Sequence, residues 1–158
     1  MSFKLPLTVS SLDQLQFCAE ELHAYAAKLR RRHSASTTEA DAPELSLDSQ
    51  TLLEQLPKEK RHDGAAVEAL ALELEAMIAH EARVTITLAA LASRHLRQEL
   101  VQWLRTNLKP NLLVDFHVNP DIAGGMVVRT TNRVHDFSFR HQLLADPNRF
   151  TEILDHVR

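Results

Sequence analysis

Asn119-Pro120-Asp121-Ile122-Ala123-Gly124-Gly125-Met126-Val127-Val128-Arg129, followed by Val134-His135-Asp136-Phe137-Ser138-Phe139-Arg140, is the stretch that decides how this chain folds. Two of the chain's three glycines stand side by side in it, directly before an apolar run. The backbone therefore needs an unusual conformation there and almost nowhere else. Met126 to Arg129 and Val134 to Phe139 read as two strands, with Thr131-Asn132 as the tight turn of a β-hairpin that lacks the stronger Asn-Gly signal. A phosphate-cradling glycine loop precedes a helix N-terminus, whereas a strand-forming run follows here, so the glycines read as a bend or bulge into the hairpin.

Working outward, Leu112, Val114, Phe116 and Val118 alternate with Leu113, Asp115 and His117, the clearest strand in the sequence. Before it, Ser93 caps a helix to about Leu108, whose Leu96, Leu100, Trp103, Leu104 and Leu108 form a stripe able to cover a sheet, with Trp103 read most simply as core. Val84-Thr85-Ile86-Thr87-Leu88 is a further half-buried strand. Downstream, Asp146-Pro147 starts a last helix to about His156. The order from Val84 is strand, helix, strand, strand, strand, helix.

Residues 1 to 82 have a different texture. Phe3 to Val9 is extended chain interrupted by Pro6. Ser10 or Ser11 caps a helix from Leu12 to about Arg32, with Leu15, Cys18, Leu22, Tyr25 and Leu29 on one face, closed by the basic run from Lys28 to His33. An acidic, Ser/Thr/Ala-rich linker follows over about 33 to 47. A short helix from about Asp48 to Leu56 ends near Pro57, and after Gly64 a second long helix to about Ala82 carries Val67, Leu70, Leu74, Met77 and Ile78 on one side. The two long helices either form an antiparallel pair or await a partner helix. The fold class is α+β: a helical appendage over 1–82, then an α+β domain over 83–158.

The 158 residues carry a net charge of -3, with 44% hydrophobic and 25% charged residues, as expected of one globular domain with an appendage. The charge is uneven: residues 34 to 82 hold three Lys/Arg against eleven Asp/Glu, and both flanks are mildly basic. That excess argues against a nucleic-acid surface in the middle. No stretch approaches the ~20 apolar residues that span a bilayer, so a cytoplasmic protein is expected, without direct membrane insertion. The single Cys18 excludes an internal disulfide and reads as a buried free thiol.

The C-terminal half resembles the C-terminal domain of the delta subunit of bacterial F-type ATP synthase, the oligomycin-sensitivity-conferring protein of mitochondria. The resemblance covers about Val84 to Leu143 and rests on Val118-Asn119-Pro120, Ile122, Gly124, Gly125, Val127-Val128-Arg129, Val134, Asp136, Ser138 and Arg140 in the family's order. Asn119 stands where Asp is usual, Thr131-Asn132 where Gly-Asp is common, and Phe137 in place of a small residue. The family carries an N-terminal six-helix bundle that grips the catalytic head. Residues 1–82 are too short and linker-rich for it, so the bundle is expected to be absent or replaced.

The resemblance implies a non-catalytic stator, or peripheral-stalk, component involved in proton transport and ATP synthesis. It would link the stalk b subunit to the catalytic-head alpha subunits, at the inner face of the bacterial cell membrane. Partner contacts are expected from the helix faces of Leu15, Leu22, Leu29, Leu70 and Leu74, and from Trp103, Phe137 and Phe139 on the C-terminal half. Gly124, Gly125, Arg129, Asp136, Ser138 and Arg140 are expected to be structural, with Asp136 pairing with Arg129 or Arg140. No catalytic residue, cofactor or metal is expected: His135 and His141 are six apart, His95 and His117 lie on different elements, and Ser138 lacks an activating histidine. The alternatives are a stand-alone adaptor, or a ligand-binding regulatory domain with a pocket near Asn119, Asp121 and Arg129.

Overall fold

Each α-helix among the described residues begins where a side chain accepts from an amide of its first turn. The computed structural model describes residues 3–34 and 45–140. Within them, α1 (Leu12–Ser34) is capped by Ser11, whose Oγ accepts from Gln14 N at 3.3 Å while the Gln14 side chain returns to the amides of Ser10 and Ser11. This reciprocal pairing satisfies donors that the first turn leaves open. Ser46 caps α2 (Leu47–Leu53), Asp63 caps α3 (Gly64–His80), and Ser93 caps α4 (Arg94–Asn107). The short helix ends before Leu56, and Lys58–Lys60 forms a 3-10 turn between α2 and α3.

The long helices form the antiparallel pair. Leu15, Cys18, Leu22, Tyr25 and Leu29 of α1 meet Val67, Leu70, Ala71 and Leu74 of α3 in one buried cluster. Burial of each large side chain stabilises by roughly 1.5–3 kcal/mol. At the rim, the two ring nitrogens of His23 face Glu68 at 3.2 Å and Glu75 at 3.1 Å across the pair. Leu15, Leu22, Leu29, Leu70 and Leu74, expected as a partner-binding face, are thus spent within the chain. Each helix supplied the apolar partner that the other's stripe required.

The sheet has the order β2-β1-β3-β4. β1 (Arg83–Leu88) runs parallel to β2 (Leu113–Val118) through the crossover α4, and antiparallel to β3 (Gly125–Thr130), which returns as β4 (Val134–Ser138). The five elements read from Val84 onward appear in the expected order. The last helix read from the sequence, from Pro147, lies outside the described residues, as does most of the acidic linker.

The apolar stripe of α4 differs from expectation. Val101, Leu104 and Arg105 face inward, with Val84, Ile86, Leu112 and Val114 beneath them. Leu96, Trp103 and Leu108 are exposed, Trp103 at 59%. Trp103 is therefore not core. The helix has turned because its buried face must accommodate Arg105, a residue that pattern reading assigns to solvent.

Arg105 joins the two halves. Its Nε donates to Leu112 O at 3.1 Å, and its Nη atoms donate to the carbonyls of Leu5, Pro6 and Val9 at 2.8–3.1 Å. Asn111 adds two bonds to the same segment, accepting from Leu5 N and donating to Phe3 O. The lead-in forms no strand; these side chains satisfy its backbone while Phe3, Leu5 and Val9 enter the helical cluster. Val114 N donates to Ser10 O at 2.7 Å, and Leu113 packs into that cluster, so β2 is buried on both faces at its start.

Candidate interaction surface

The hairpin is aimed by three consecutive residues of positive φ: Ala123 (58°), Gly124 (123°) and Gly125 (75°). A Cβ on Gly125 would lie 2.3 Å from Phe137 O, and one on Gly124 would lie 2.5 Å from the Phe139 ring. Both glycines are needed for conformation and for close approach, as the sequence implies. Just upstream, Asn119 Oδ1 accepts from Asp121 N at 3.0 Å, capping the 3-10 turn Pro120–Ile122. At the hairpin tip the Thr130 hydroxyl bonds both O and N of Arg133, which closes the two-residue Thr131-Asn132 turn without Asn-Gly. At the far end Asp136 Oδ1 accepts from Ser138 N at 2.8 Å, and Phe139 N donates to Gly124 O.

This construction carries β4 beyond the cover of α4. In one cross-strand row Phe116, Ile86, Val128 and His135 share a face; in the next, Val118, Leu88, Met126 and Phe137 do. Both rows are on the side that α4 packs against. Ile86 is buried, Val128 and Met126 are partly buried, and Phe137 is 51% exposed. The His135 and Phe137 rings stack with centroids 6.2 Å apart. On α4, Leu96, Leu100 and Trp103 follow one another at helical spacing along a flank turned away from the buried Val101 and Leu104. The sheet shelf and the helix flank thus each leave large apolar side chains exposed.

Of the residues expected at a partner contact, Trp103, Phe137 and Phe139 are half-exposed. Phe139 does not continue the face of Phe137, because β4 ends at Ser138 and Phe139 opens a helical turn over Gly124. Leu96, Met126 and His135 were not expected at a partner contact. The pairing register that places them is a tertiary property; only the alternation of His135 and Phe137 hinted at it.

Among the described residues, no group of three or more His, Cys, Asp or Glu is placed to hold a metal ion. Cys18 is buried and free, and burial pushes its thiol up from the usual range, keeping it protonated. The Glu21 carboxyl, although partly desolvated, lies below the usual range. Bonds from the Ser46 and Ser49 hydroxyls, at 2.5 and 2.6 Å, and from Ser46 N outweigh desolvation. Burial pushes the Arg105 guanidinium down to about 10, so it keeps its charge at neutral pH. No helix among the described residues is long and apolar enough to cross a membrane.

Helical hairpin and mixed sheet define an α+β module that leaves Trp103, Phe137 and Phe139 half-exposed. Compared with models of known protein families, residues 49–146 match the ATP synthase delta (OSCP) subunit, and the chain belongs to that family. The match spans more than half of the chain and begins at α2, further toward the N-terminus than the residues that carry the resemblance. Comparison with curated proteins finds no match.

Proposed function

We propose that this chain is a non-catalytic stator component of an F-type ATP synthase, linking the catalytic head to the peripheral stalk. The observation that carries the reading is the family match from α2 to just beyond β4. In this reading the C-terminal part of the stalk b subunit lies along the shelf of Met126, His135 and Phe137 and the flank of Leu96, Leu100 and Trp103. The helical hairpin is turned toward the head's alpha subunits. The protein is then peripheral to the inner face of the bacterial cell membrane, held there through the synthase.

A stator transmits force instead of performing chemistry, so it must not yield between its two contacts. The Arg105 bonds and the Leu113 contact tie the helical and sheet halves together and support that role. Binding free energy would come from burying the aromatic and aliphatic side chains of the open face, at roughly 25 cal/mol per Å² before association costs.

The double variant Trp103→Ser with Phe137→Ser tests the surface. Both side chains are half-exposed, so thermal stability should change by no more than about 1 kcal/mol. Affinity for the purified b subunit should fall by about tenfold or more, since aromatic anchors dominate such contacts. Unchanged affinity would remove this face from the contact.

A further inference from the structure

We propose that His23 is a proton-operated clamp between α1 and α3, tightening the pair when its ring carries both protons and slackening it when one is lost. Its Nε2 meets Glu75 Oε1 at 3.1 Å and its Nδ1 meets Glu68 Oε1 at 3.2 Å, so the ring lies between two carboxylates of α3. Those glutamates stand about two turns apart on that helix.

A neutral imidazole has one N–H and one lone pair. Whichever tautomer it takes, one carboxylate receives a hydrogen bond and the other meets a lone pair. The imidazolium is a donor at both nitrogens and suits both oxygens at these distances. A single proton therefore decides whether the ring makes two attractive contacts with α3, or one attraction and one repulsion.

The surroundings are acidic. Arg30 of α1 reaches Glu68 Oε2 at 3.8 Å and has a further contact of its own, and Glu20 of α1 shares a surface hollow with Glu75. Glu21, two residues from His23, is turned instead to α2, where it accepts from Ser46 and Ser49. The clamp thus sets the carboxylates of Glu20, Glu68 and Glu75 against the guanidinium of Arg30, and the ring supplies the second positive charge when protonated. His23, Glu68 and Glu75 are all partly exposed, so solvent screens the clamp and the apolar cluster still carries most of the closure. It uses none of the residues assigned to the stalk contact.

The clamp's contribution to stability is present while the ring is protonated. It is lost as pH rises, within the window of about pH 5 to 8 in which histidine ordinarily changes charge. The test is urea unfolding of the full chain and of His23→Gln at about pH 5.5 and about pH 8, a window clear of the ordinary glutamate range. The other histidines titrate in both proteins, so the comparison isolates this ring. The ratio of the variant's unfolding constant to the parent's should be about three- to fivefold larger at the lower pH, the scale of partly exposed ion pairs. The same comparison in a Glu75→Gln background, an exposed change, should give a smaller pH difference. A ratio equal at both pH values, a ratio larger at the higher pH, or a difference undiminished by Glu75→Gln would overturn the proposal.

Discussion

Arg105 is the residue on which the joint between the two halves turns. Among the described residues it pairs with no carboxylate; its donors go to four backbone carbonyls from two distant parts of the chain. Arg105→Met keeps the aliphatic bulk but leaves those carbonyls without donors. It should cost about 2–4 kcal/mol in urea unfolding, and a loss under about 0.5 kcal/mol would mean the lead-in is held by its apolar side chains alone. Glu21 gives a prediction in pH. Its folded-state carboxyl sits below the usual range, so its stabilisation is fully present above the unfolded glutamate value and is lost as pH falls through the lowered folded value. Glu21→Gln should cost about 1 kcal/mol at neutral pH and flatten that acid limb of the stability curve. An acid limb identical to that of the parent protein would assign acid lability to other groups. Neither role was legible in the sequence, where Arg105 is one charge on a helix and Glu21 one of many acids. Both act by meeting backbone or hydroxyl groups that only the fold brings near.

At the scale of elements, apolar spacing was a sound guide wherever a face packs against one neighbour. The stripes of α1 and α3 were legible, and the structure closes them on one another. Leu22→Ala or Leu70→Ala should therefore cost about 2–5 kcal/mol, measured by denaturant unfolding, as for buried leucines elsewhere. A surface-like loss under about 1 kcal/mol would mean that this pair opens in solution. The glycine pair was equally legible, because left-handed backbone leaves few alternatives. Gly125→Ala forces a Cβ against Phe137 O and should destabilise the hairpin, seen as faster amide exchange in β3 and β4 than in β1. Spacing misled on α4, whose exposed flank is as apolar as its buried face. Trp103 and Leu96 look like core until the sheet's width and the position of Arg105 are known.

At the scale of the whole molecule, the chain joins a helical hairpin and a sheet through polar ties, and leaves Trp103 of α4 and Phe137 of β4 half-exposed. The resemblance of the C-terminal half was legible from the order of its motifs, and the family match confirms it over a longer span. The location of the open face was not legible, since it depends on how far α4 reaches across the strands. The central claim, that the chain acts within a stator, is tested most directly by purifying the tagged protein from its own host's membranes and quantifying what accompanies it. The account predicts catalytic-head and stalk subunits of the ATP synthase in near-equal amounts. Their absence from a preparation in which the synthase remains intact would contradict it.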